Sequence, residues 1–81
     1  MSRHLPAYDL IKKHLVDARL NRGLTQRDLA KRLKTSQSFV ARYETGERRL
    51  DIVEFIRIAD ALGLDVADVV REIRRTGRRR H

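Results

Sequence analysis

Apolar residues recur along this chain at three- and four-residue steps and almost nowhere in strict alternation, the pattern of a succession of short helices. Leu10, Ile11, His14, Leu15 and Ala18 mark one face of a first helix predicted over residues 8–21, with Gly23 placed to stop it. Thr25 followed three residues later by Asp28 has the spacing of a capping box and opens a second helix, with Leu29, Ala30 and Leu33 on one side. Thr35 or Ser36 caps a third, whose inward residues are Val40 and Tyr43 and which ends at Gly46. Asp51 and Glu54 open a fourth, with Ile52, Phe55, Ile56, Ala59 and Leu62 facing inward and Gly63 after it. Asp65 and Asp68 open a fifth that buries Val66, Val69, Val70 and Ile73.

The expected fold class is therefore all-α, a compact five-helix bundle joined by tight turns. The single proline, Pro6, precedes the helical pattern, and there is no internal repeat or linker. Residues 1–7 read as an N-terminal arm, 8–75 as one domain and 76–81 as a flexible basic tail, since the tail has no apolar anchor. Eighty-one residues, 41% of them hydrophobic, suffice for a small helical core but not for two layers around a deep active site. The absence of cysteine removes disulfides and thiolate metal ligands and fits a reducing cytoplasm. The first residues lack the apolar run of a signal peptide, and no stretch approaches the roughly 18 apolar residues of a membrane span. A cytoplasmic protein is expected.

Charge sharpens the picture. The net charge of +8 is unevenly placed: residues 1–21 carry +2, 22–49 carry +5, 50–70 carry −4 and 71–81 carry +5. A basic middle, an acidic following segment and a basic tail point to one side that faces a polyanion.

The basic middle contains QRDLAKRLKTSQSFVARYETG, from Gln26 to Gly46, preceded by LT and followed by ERRLD. Ala30 is small where two helices must cross closely, and Leu29, Leu33, Val40 and Tyr43 are apolar where the pair faces the bundle. This stretch resembles the helix-turn-helix of the Cro and phage-repressor (XRE-like) family, and with its flanking helices the resemblance covers about residues 8–70. It implies a lambda-repressor-like domain whose third helix, residues 36–44, enters the major groove of double-stranded DNA. A groove about 12 Å wide admits one α-helix, and polar side chains near its start reach base edges. By the resemblance, Gln37, Ser38 and Arg42 read bases; Gln37 suits adenine and Arg42 suits guanine. Gln26 grips the DNA backbone beside the start of the second helix. Lys34, Thr35, Ser36, Thr45, Arg48 and Arg49 are further phosphate candidates. Arg19 and Glu44 stand where similar repressors form a structural ion pair. Lys34 departs from the glycine common at its position, at a cost of about 1 kcal/mol if the turn is left-handed there. Phe39 either touches a thymine methyl or packs toward the fourth helix, and packing is the favoured reading.

Other classes of function fit less well. His4, His14 and His81 are scattered, none with a partner at metal-site spacing, and the serines have no histidine near them in sequence. No enzyme, metal or cofactor is implied. The apolar faces are needed for the bundle's own core, which argues against a membrane-surface role. The deep, narrow major groove of A-form RNA does not admit such a helix. One reading helix covers too few base pairs for useful specificity, so a homodimer is expected, with half-sites about 34–36 Å apart. Leu64, Val69, Val70 and Ile73 are the candidate dimer residues. The expectation is a transcriptional repressor or autorepressor. The rival is an antitoxin that neutralises a toxin partner protein and also represses its own operon.

Overall fold

The computed structural model describes residues 6–78, with side chains described for residues 7–76. It contains α1 (Pro6–Asn21), α2 (Gln26–Leu33), α3 (Gln37–Thr45), α4 (Ile52–Leu62) and α5 (Val66–Arg78), and no strand among the described residues. Local chemistry sets most of these boundaries. Pro6 stands at the first helical position, where its missing N–H costs no helical hydrogen bond, so α1 begins two residues before the predicted start. The Thr25 hydroxyl accepts from the Asp28 N–H while the Asp28 carboxylate accepts from the Thr25 N–H, closing the expected capping box at 2.9 and 3.0 Å. The bond from the Thr25 N–H, with the Thr25 side chain adding to it, holds the Asp28 carboxyl below its ordinary range. Asp51 and Glu54 form the same box on α4. Of the two candidate caps for α3, Ser36 is the one used, its Oγ accepting from the Phe39 N–H at 3.1 Å.

The sharpest backbone feature is the turn between α2 and α3. Lys34 adopts φ 58° and ψ 46°, and its N–H closes the end of α2 onto the Ala30 and Lys31 carbonyls. It is the one non-glycine residue with positive φ among the described residues. The left-handed turn expected there is thus carried by a residue with a Cβ.

One core lies where all five helices meet, built from Leu15, Leu29, Leu33, Val40, Tyr43, Phe55, Ile58, Leu62 and Val69. α2 and α3 pack chiefly on each other, and α1 packs on α5, α4 and α3. A 2.6 Å hydrogen bond between His14 Nε2 and Glu72 Oε1 ties α1 to α5 and holds the Glu72 carboxyl below its ordinary range.

Three expectations are corrected on α4 and α5. Ile52 and Ile56 were expected inward but are 65% and 40% exposed, while Ile58, absent from the predicted face, is buried. Isoleucine, valine or phenylalanine fills five of the first seven α4 positions, all but Glu54 and Arg57, so two helical phases fit the pattern. The stripe 52–55–56–59 competes with 55–58–59–62, and the second faces the core. Val70 is likewise exposed at 37%, because Val66, Val69 and Ile73 already fill the side of α5 that meets the bundle. α5 runs to Arg78 and so takes in the first residues of the predicted tail. Residues 79–81 and the first five residues of the arm lie outside the described residues, as do His4 and His81.

Candidate nucleic-acid interface

α3 presents Gln37, Ser38 and Arg42 to solvent, all three exposed. At 100° per residue they occupy an arc of about 140°, while Val40 and Tyr43 fall on the opposite side and are fully buried. The arc is held in place by a polar relay that crosses three helices. Arg19 Nε and Nη2, from α1, donate to the two oxygens of Glu44 on α3 at 2.8 and 3.0 Å, and Arg19 Nη1 donates to the Leu24 carbonyl at 2.7 Å. Gln26 Nε2, at the start of α2, donates to Glu44 Oε1 at 2.9 Å. Gln37 Nε2 then donates to Gln26 Oε1 at 3.4 Å, the longest and weakest link.

This relay assigns both amides. Turned over, Gln26 would aim its carbonyl at the Glu44 carboxylate, which is repulsive, so Glu44 dictates that Nε2 faces it. The Gln26 carbonyl is thereby aimed at Gln37 and accepts from it. Each amide keeps one N–H free, and Gln37 also keeps its carbonyl free. One free donor and one free acceptor are what bidentate pairing with adenine requires.

Thr25, Gln26, Arg27 and Gln37 line a shallow hollow of about 480 Å³ at the start of α2. The free N–H groups of a helix N-terminus and the Arg27 guanidinium give it a positive potential. Thr25 and Arg27 were not among the sequence candidates. A basic residue immediately after the first residue of a capped helix was the signal available for Arg27.

The remaining candidates divide. Lys34, Thr35 and Ser36 are exposed along the turn. Thr45 has its hydroxyl engaged both ways, donating to the Arg42 carbonyl at 3.1 Å and accepting from the Glu47 N–H at 3.3 Å. Arg48 is held by Glu54 through two bonds of 3.0 and 2.9 Å, which lower the Glu54 carboxyl's pKa, and it lies 4.9 Å over the Phe39 ring. Arg49 lies 4.2 Å over the ring of Tyr8, whose hydroxyl accepts from the Leu50 N–H. The loop arginines are therefore docked on the protein. Phe39 packs against the core and edge-to-face on Tyr43, its ring centroid 5.6 Å away. Of the candidate dimer residues, Val69 is fully buried within the single chain and Leu64 and Ile73 pack against its core, which leaves Val70 at the surface.

A short capped helix, a left-handed turn and a second capped helix with an outward polar arc, braced by three further helices, define a helix-turn-helix domain. The helix-turn-helix family model matches residues 15–69, more than half of the chain, and the chain belongs to that family, whose XRE-type members are DNA-binding transcriptional regulators. No curated protein matches the chain. No helix among the described residues is long and apolar enough to cross a membrane.

Proposed function

We propose that the protein is a cytoplasmic transcriptional repressor that binds a palindromic operator in double-stranded DNA as a homodimer, each copy reading one half-site with Gln37, Ser38 and Arg42. The observation that carries this reading is the relay ending on Gln37. An amide held by a neighbour with one donor and one acceptor still free is prepared to pair with a base edge. Arg42 stands five residues further along α3, about 7.5 Å by helical rise, which spans about two base-pair steps. The half-site then carries an adenine and, about two base pairs away, a guanine.

Phosphate contacts come from Gln26 with Thr25 and Arg27 at the start of α2, and from Lys34, Thr35 and Ser36 at the turn. Thr45 and Arg48 serve the fold first, since their polar groups are already engaged, and Arg49 is stacked over the Tyr8 ring. With the four phosphates that Arg27 and Lys34 neutralise across a dimer, affinity falls about 10²-fold between 50 and 200 mM salt.

Selection of bound duplexes from a random DNA pool tests the reading. The expected product is an inverted repeat whose half-sites lie about 10 base pairs apart and carry adenine and guanine at that spacing. Recovery of unenriched sequence at low salt overturns it.

A further inference from the structure

The chain exposes five large apolar side chains among its described residues, and three of them, Ile52, Val53 and Ile56, sit together on the first turn and a half of α4. Their exposures are 65%, 62% and 40%. Beside them Tyr8, Ile11, Leu50 and Phe55 line a groove of about 180 Å³ that continues the patch toward the core. We propose that this face of α4 is the surface on which a second copy of the chain docks, antiparallel, about a two-fold axis perpendicular to α4. The inference rests on the homodimer reading above and locates its interface.

The ends of the patch carry opposite charges, which is what an antiparallel second copy requires. Two chains of +8 repel each other over most of their surface, and a patch with exposed Arg49 at one end and exposed Asp60 at the other lets each copy meet the other with opposite charges. The pairing is also self-complementary. An antiparallel register that sets Val53 opposite the partner's Ile56 sets Arg49, at the basic end of the patch, opposite the partner's Asp60 at the acidic end. Val53, Ile56 and Asp60 fall at i, i+3 and i+7, so they share one face of the helix. Two-fold symmetry makes each of these contacts twice.

The chain path agrees with the spacing that paired reading helices require. Only six residues separate Thr45, the end of α3, from Ile52, the start of α4. Fully extended, that link spans at most about 25 Å. A reading helix must lie about 17 Å from the dyad of half-sites one helical turn apart, which is within that reach. Three exposed apolar side chains and the short groove beside them fall well below the roughly 20–30 residues a side of a stable interface, so the free dimer is weak and closes fully on DNA.

Sedimentation of the full chain without DNA, at rising concentration, tests the surface separately from the DNA reading. The expected mass rises from 9.5 kDa toward twice that value. Val53→Glu, or Ile52→Lys should the first variant lose helicity, holds the protein at the monomer mass, whereas Val70→Glu on α5 leaves association unchanged. Asp60→Arg weakens association and Asp60→Arg with Arg49→Asp restores it. Low-salt binding of random duplex by the Val53→Glu monomer persists, so loss of pairing is distinguishable from loss of the DNA-binding surface. A wild-type chain that stays monomeric when concentrated, association broken by Val70→Glu and not by Val53→Glu, or a charge swap that restores nothing, each overturns the proposal. So does a foreign protein partner whose binding requires Val53 while the chain alone never pairs.

Discussion

Arg19 and Glu44 meet through both carboxylate oxygens, at 2.8 and 3.0 Å, with only 11% and 7% of their side chains exposed. The pair joins α1 to the reading helix and supplies the acceptor that orients Gln26. Removing one partner leaves the other charge buried. Arg19→Met is therefore expected to cost about 3–5 kcal/mol, a fall of at least about 12 °C in Tm for a domain of this size. Arg19→Met with Glu44→Leu removes both charges and recovers much of that loss, yet it leaves Gln26 without its acceptor. Recovered stability with DNA discrimination still impaired separates bracing from orientation. Thermal unfolding and binding to cognate and random duplexes measure the two effects.

Tyr43 is fully buried, and its hydroxyl finds no hydrogen-bond partner among the described residues. Burial pushes the phenol pKa above its ordinary 10.0, with the Glu44 carboxylate adding to the rise. An unsatisfied buried hydroxyl costs about 1–3 kcal/mol, so Tyr43→Phe is expected to keep the fold and raise stability by about 1 kcal/mol. The alkaline limb carries the second signature. Above pH 10.0 the unfolded chain releases the Tyr43 proton while the folded chain retains it, so stability falls as pH rises further. Denaturant unfolding against pH should show a shallower alkaline loss for Tyr43→Phe than for the wild type. Parallel curves would remove Tyr43 from that titration.

Where local chemistry was decisive, the sequence was readable. The Thr25–Asp28 and Asp51–Glu54 boxes, and the polar arc opposite Val40 and Tyr43, are short-range patterns that the structure reproduces. Interpretation broke down where α4 offered two apolar phases and tertiary packing chose Ile58 over Ile52 and Ile56. Long-range polar partners were illegible for a different reason. Nothing local in Arg48 or Arg49 indicates that Glu54 and the Tyr8 ring will hold them, and loop arginines in a basic segment look free. Gln26 was legible as the first residue of α2 but not as the middle of a relay. That role depends on Glu44, 18 residues away in the chain.

Lys34 holds a left-handed conformation that its Cβ disfavours, and its side chain is exposed at the turn. Fold and function therefore pull in opposite directions at this position. Lys34→Gly is expected to stabilise the free protein by up to about 1 kcal/mol, through relief of that conformation. If the lysine meets phosphate, the same change lowers affinity for all duplexes alike and reduces the slope of log affinity against log salt by about 1. Unchanged stability together with an unchanged slope would contradict both halves of this account.

Arg42 and Gln26 are expected to fail in different ways when truncated. Arg42 is exposed on the outer arc of α3, where its side chain can reach a base edge, so Arg42→Ala should cost about 1–3 kcal/mol on the selected site and far less on random duplex. Gln26 lies at the start of α2 beside the hollow lined by Thr25 and Arg27, a position suited to phosphate. Gln26→Ala should weaken random DNA clearly, unlike Arg42→Ala, and the selected site somewhat more. It should also relax discrimination at the base facing Gln37, because that amide loses its acceptor. Competition assays with single-base variants of the selected site resolve the two patterns. Equal losses on selected and random DNA for Arg42→Ala would exclude it from base reading, and intact discrimination at the Gln37 base in Gln26→Ala would break the link between the two glutamines.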